Sequence, residues 1–144
     1  MAIIKRMDHF TIVTDRPDDT EAFYARLGLT AGPRPAFPAP GLWLYCGDQA
    51  VLHIVEVATM PEPRRGAIDH LAFASAGLAG VLASLEADGL DYRLSRVPEP
   101  FGNWQIFIKD PNGVDVELNF PADEPAPPGW PPPGASGASG ASGV

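Results

Sequence analysis

One heptapeptide occurs twice in this chain, and a recurrence at fixed spacing constrains a fold more tightly than composition does. Met7-Asp8-His9-Phe10-Thr11-Ile12-Val13 returns 61 residues later as Ile68-Asp69-His70-Leu71-Ala72-Phe73-Ala74. Gly28-Leu29 and Gly89-Leu90 stand at the same spacing. The pattern predicts two copies of one unit, residues 1–66 and 67–120, forming one domain over 1–120.

Each copy reads as strand, helix and three short strands. The apolar runs Ile3 to Val13 and Ile68 to Ala74 open the copies. A helix follows from Asp18 or Asp19 to Leu27, with acidic residues in its first turn and Gly28 as its left-handed stop. Its counterpart runs from about Leu78 to Ala87 and stops at Gly89. Strands are expected at 31–35, 42–46 and 50–57, then at 92–97, 104–108 and 114–120. Gly47-Asp48 and Asp110-Pro111-Asn112-Gly113 supply the last turns. The expected fold class is α+β: two βαβββ repeats whose sheets form a cupped, half-open barrel.

Charge and composition narrow the partners. A formal charge of −8 disfavours nucleic acid and anionic membrane, both of which need a basic surface. No run approaches the ~20 apolar residues of a membrane span, and Lys5, Arg6 and Asp8 break any leader-like stretch. The single cysteine, Cys46, cannot form an internal disulfide and reads as a small buried residue. A cytoplasmic setting is therefore expected, with a small molecule as the partner. From Pro121 to Val144 the chain turns to Pro, Gly, Ala and Ser, a composition too poor in apolar surface to offset its ordering entropy, so this tail is expected to be mobile. Trp130 is its one adhesive side chain.

All three histidines and one glutamate fall at repeat-equivalent places. His9 and His70 match each other in the opening strands. Glu117 lies in the last strand, where Asp115, Glu117 and Asn119 alternate with apolar residues. A carboxylate on an inner sheet face needs a partner. Two imidazoles and a carboxylate form the minimum set for a divalent ion with open positions. The copy-one counterpart of Glu117 is Glu56 by the rigid spacing of 61. Aligning the hairpin turns gives a spacing of 64 and selects His53. Turns set strand register, and His53 and Glu56 must lie on opposite faces, so His53 is chosen. A lone strand histidine is more often structural than ligating; the joint placement of four residues argues for a metal site.

Asp8–Val13, Phe23-Tyr24 with Leu27-Gly28-Leu29, Asp69–Phe73 and the stretch Phe107–Leu118 resemble the vicinal-oxygen-chelate superfamily. That group contains glyoxalase I, methylmalonyl-CoA epimerase, extradiol dioxygenases, and the fosfomycin- and bleomycin-resistance proteins. The last stretch is similar to the signature Phe-x-x-Asp-Pro-(Asn/Asp)-Gly-x-x-x-Glu, which closes the metal site there. The resemblance implies one divalent ion (Fe, Mn, Ni or Zn) on His9, His70 and Glu117, with His53 as fourth ligand or acid–base, and a homodimer. Three activities follow from it. A glyoxalase- or epimerase-like lyase or isomerase would chelate a small substrate through vicinal oxygens, with Glu117 as proton carrier. An Fe(II) extradiol dioxygenase would use His53 as its acid–base, although such enzymes carry a tyrosine where Phe107 stands. A drug-binding resistance protein would lack the ligands altogether. Trp43, Tyr45, Phe101, Trp104 and Phe107 are the expected pocket lining, suiting a flat, oxygenated ligand, and Arg34 or Arg64 is the expected contact for an anionic group on it.

Overall fold

A computed structural model of the chain describes residues 7–64, 66 and 68–131. The elements are β1 (Phe10–Thr14), α1 (Pro17–Arg26), β2 (Thr30–Gly32), β3 (Gly41–Cys46) and β4 (Gln49–Glu56). They are followed by β5 (Leu71–Ala74), α2 (Leu78–Ala87), β6 (Arg93–Arg96), β7 (Trp104–Lys109) and β8 (Asp115–Phe120). The βαβββ order thus occurs twice, and each repeat builds its own four-stranded sheet, ordered β1-β4-β3-β2 and β5-β8-β7-β6. In both sheets the first and last strands pair in parallel and the hairpins are antiparallel. Parallel pairing requires a long connection between the two strands, and the helix and inner hairpin of each repeat supply it. Both opening strands are shorter than the apolar runs suggest, so His9 and His70 stand just ahead of β1 and β5. The expected residues Ile3 to Arg6 lie outside the described part.

The helices stop where the glycines predict, for a visible reason. Leu29 N donates to Tyr24 O and Gly28 N to Ala25 O, with Gly28 at φ 93°. Leu90 N to Leu85 O, Gly89 N to Glu86 O and Gly89 at φ 65° repeat the arrangement. This pair of hydrogen bonds with a left-handed glycine satisfies the last carbonyls of each helix.

The chain divides into two compact units, Met1–Asp69 with Asp110–Val114, and His70–Lys109 with Asp115–Val144. The Asp-Pro-Asn-Gly turn of the second repeat belongs to the first unit. Buried polar bonds explain this. Thr14 Oγ1 donates to Asn112 Oδ1 at 2.6 Å, and Asn112 Nδ2 donates to Thr20 Oγ1 at 2.9 Å. Asp110 accepts from the backbone N of Asn112 and Val114, each at 2.8 Å, and from the Tyr24 hydroxyl at 3.1 Å. Burial and the Asp110 charge hold the Tyr24 phenol far above its ordinary pKa, so it remains a donor. Leu44, Leu52 and Ile54 fill the core on the same side.

In the second unit, Leu78, Leu82 and Leu85 of α2 are buried, as are Trp104, Ile106, Ile108, Val116, Leu118 and Phe120 of the sheet. Residues 121–131 correct the expectation of a mobile tail starting at Pro121. Glu124 places one carboxylate oxygen on Gly77 N (2.8 Å) and the other on Leu78 N (2.6 Å), capping a helix whose own N-cap residue, Gly77, has no side chain. Trp104 Nε1 donates to Glu124 O at 3.1 Å, and Trp130 packs edge-on against Trp104 with centroids 5.1 Å apart. The Gly-Ala-Ser triplets lie outside the described residues. Cys46 is exposed rather than buried, because it ends β3 at the hairpin turn.

Two losses of stability follow. Glu124→Ala removes the α2 cap and is expected to cost about 1 kcal/mol in urea unfolding, with Glu124→Asp recovering part of it. Asn112→Ala leaves buried hydroxyl and carboxylate groups short of a partner and is expected to cost about 1–3 kcal/mol. A change below ~0.5 kcal/mol for either would contradict the geometry.

Candidate metal and substrate site

In the first unit the site residues share one face of the sheet. Thr11 pairs with His53 across β1–β4, and Trp43 pairs with His53 across β3–β4. Leu52 and Ile54, one position to either side, point into the core. His53 lies between two rings. His9 stacks on it at 3.7 Å between centroids and 20° between planes, and Trp43 stacks on it at 3.9 Å and 4°. Glu56 pairs with the buried Thr14 and so belongs to the other face. His9 Nδ1 is 2.8 Å from Asp8 Oδ2, which fixes the ring, and Nε2 has no hydrogen-bond partner among the described residues. Carboxylate-oriented imidazoles of this kind are common at metal centres.

In the second unit Ala72 pairs with Glu117, and Phe107 pairs with Glu117 from the other side. These ladders repeat Thr11–His53–Trp43, so position 117 corresponds to 53 and 107 to 43. His70 Nε2 lies 3.1 Å from Glu117 Oε2. The other carboxylate oxygen, Oε1, accepts from Gln105 Nε2 at 2.8 Å and Asn119 Nδ2 at 3.0 Å. Asn103 Nδ2 in turn donates to Asn119 Oδ1 at 3.2 Å. Glu117 is only 5% exposed, and these bonds are what make a buried carboxylate tolerable. Asn119 is legible in the alternation of β8. Gln105 and Asn103 are not legible, because amides in a short strand or turn carry no distinctive pattern.

The donors suit a divalent ion. Two neighbouring ligands with bonds of about 2.1 Å stand about 3 Å apart, close to the 3.1 Å between His70 and Glu117. The four expected ligands come as two pairs, His9 with His53 in one unit and His70 with Glu117 in the other. Among the described residues no group of three or more His, Cys, Asp or Glu is placed to hold a metal ion.

Expectations for the lining divide. Trp43 and Phe107 flank His53 and Glu117, the latter with its edge toward His70 at 5.8 Å. Tyr45 packs over Gly32 and donates to Pro33 O at 2.6 Å. Trp104 is a correction: it pairs with Phe120, points away from Glu117 and is fully buried in the core. Phe101 is a second correction, being 72% exposed in the turn before β7. Arg64 is spent on Glu62 at 3.2 Å; Arg34 donates to Ala39 O at 2.7 Å and covers Phe37.

Burial, the neighbouring His9 and Arg34 together hold the His53 imidazole below its ordinary pKa of 6.5, against an opposing pull from Asp8. His53 is therefore neutral at pH 7. The unfolded chain takes up this proton more readily than the folded one, so as pH falls through the ordinary histidine range His53 subtracts stability. In metal-free protein the His53 ring is expected to titrate below pH 6.5 by NMR, and a midpoint at or above 6.5 would refute this.

The family model for the Glyoxalase/Bleomycin resistance protein/Dioxygenase superfamily matches residues 6–118. No curated protein matches the chain in sequence. Among solved structures, a protein from Bacillus anthracis assigned to the glyoxalase family is similar, with 21% identity and a TM-score of 0.69 over 84% of this chain and 98% of that one. A glyoxalase family protein from Enterococcus faecalis has 28% identity and a TM-score of 0.62, covering 82% of this chain and 99% of that one. Lactoylglutathione lyase from Agrobacterium tumefaciens has 23% identity and a TM-score of 0.59, covering 83% and 96% respectively. No helix among the described residues is long and apolar enough to cross a membrane.

Proposed function

The chain belongs to the Glyoxalase/Bleomycin resistance protein/Dioxygenase superfamily, and we propose that it is a divalent-metal-dependent lyase or isomerase acting on a small substrate through vicinal oxygens. The observation that carries this reading is the His70–Glu117 pair, with one carboxylate oxygen facing an imidazole at 3.1 Å and the other held by two amides. His9, His70 and Glu117 would be the ligands, with His53 beside them. A divalent ion there would polarise a substrate oxygen and acidify the adjacent C–H.

The chain's own residues supply the rest. Gln105 and Asn119 fix the Glu117 carboxylate by Oε1, so Oε2 is the oxygen that accepts a proton and returns it. Asp8 orients His9. His53, neutral and held between two rings, provides either a fourth nitrogen donor or a second base. The stack of His9, His53 and Trp43 places aromatic rings along the site, which suits a planar substrate.

The test is metal analysis followed by two reaction screens on one preparation. A stoichiometric divalent ion is expected, together with deuterium exchange from D2O at the carbon beside a carbonyl in small hydroxy- or oxo-carbonyl compounds. Glu117→Gln should lower that exchange about 10²-fold or more. Oxygen uptake with catechol by Fe(II)-loaded protein, without proton exchange, would replace this reading with ring cleavage and His53 as acid–base. Absence of metal and of both reactions would leave a binding protein. His53→Ala should weaken metal binding more than Glu56→Ala, and the reverse order would move the ligand to Glu56.

A further inference from the structure

The second sheet carries three basic side chains, and two of them are occupied. Lys109 pairs with Asp115. Arg96 lies on the core face over Trp104, 4.5 Å from its centroid, and donates to Gly102 O and Ala122 O. Arg93 is different. Its guanidinium carbon sits 4.2 Å from the centroid of Phe107, and among the described residues no carboxylate or carbonyl is bonded to it.

Register places this cation beside the site. Arg93 pairs with Phe107 across β6–β7, Phe107 with Glu117 across β7–β8, and Glu117 with Ala72 across β5–β8. Directly paired residues project from the same face, so Arg93, Phe107 and Glu117 form one row on the side where His70 meets Glu117. Strands are about 4.8 Å apart, which puts the Arg93 Cα roughly 10 Å from that of Glu117. Its guanidinium leans inward over the ring between them. In a chain of formal charge −8, this exposed arginine rests on an aromatic face two strands from Glu117, so an anionic group reaching the site meets a cation there.

We propose that Arg93 is a specificity-determining residue that binds a carboxylate on the substrate, making the substrate a small monoanion whose acid group lies a few bonds from its vicinal oxygens. The planar guanidinium fork matches a carboxylate in two parallel hydrogen bonds. A phosphate dianion fits less well, because the neighbouring Lys109 is already neutralised and Glu117 adds a negative charge nearby. Phe107 holds the fork in place from below. The inference rests on the proposed chemistry at Glu117 only for the position of the oxygens; the carboxylate contact stands by itself.

Two measurements separate these claims. In metal-free protein, titration with benzoate should shift the NMR signals of Arg93 and Phe107, whereas benzyl alcohol at equal concentration should not. In Zn(II)-loaded protein, 3,4-dihydroxybenzoate should bind at least tenfold more tightly than catechol by calorimetry. Arg93→Met keeps the packing on Phe107; it should reduce that preference to about twofold while leaving catechol affinity unchanged, and Arg93→Lys should restore part of it. Equal affinity for the two probes in the unaltered protein, or equal loss of both in Arg93→Met, overturns the assignment. Failure to bind Zn(II) while benzoate still shifts Arg93 would refute the metal reading and support this one.

Discussion

The parallel pairing of the first and last strands in each repeat is the constraint on which the site depends. It brings residues 40 and more positions apart into one row, Thr11 beside His53 and Ala72 beside Glu117. The histidine two residues ahead of that row, His9 or His70, then shares its face. A hairpin alone could not do this, because antiparallel neighbours close in sequence would place the pair across a turn. The helix stops at Gly28 and Gly89 matter for the same reason: they end the crossover at the point where the inner strands begin.

Once the row is set, the surroundings decide what each position can be. Glu117 is buried, and an unpaired buried charge would be prohibitive. Gln105 and Asn119 satisfy one oxygen and His70 faces the other, so the carboxylate holds its position whether or not an ion replaces the hydrogen bond. The amides come from a single cross-strand pair, Gln105 with Asn119, one step along the ladder from Phe107 and Glu117 on the same face. That is a positioning arrangement, and the strands themselves enforce it.

Much of this was legible in the sequence, because periodicity and turns are local signals. The repeat spacing, both helix stops, the βαβββ element order and the turn-based alignment of His53 with Glu117 are all visible in the chain alone, and the ladders follow that alignment. The misreadings were of a different kind. Trp104 was expected in the pocket because it is aromatic and near the right strand, yet strand parity puts it in the core. The Asp-Pro-Asn-Gly turn looked like a link within the second repeat, yet its buried bonds to Thr14, Thr20 and Tyr24 join it to the first unit. Glu124 sits in a segment whose composition reads as unstructured, and its capping of α2 depends on a contact 46 residues away that no local pattern encodes. Arg93 carries no local signal; cross-strand register alone gives it its neighbours.

The same register explains why the two copies differ at their central position. The pair Gln105–Asn119 has Gly41–Val55 as its counterpart in the first sheet, one step along the ladder from Trp43 and His53. Neither Gly41 nor Val55 has a side-chain donor. A carboxylate at position 53 would lack the amides that hold Glu117, and in their place it would meet the faces of His9 and Trp43. A neutral imidazole suits that environment: it stacks on both rings, and its depressed pKa removes the charge that burial would penalise. The imidazole at position 53 thus suits its surroundings, with Gly41 on the adjacent β3 and Val55 on its own strand β4. A carboxylate at position 53 would need amide donors at 41 and 55 to be held as Glu117 is, so each central residue is matched to the cross-strand pair beside it.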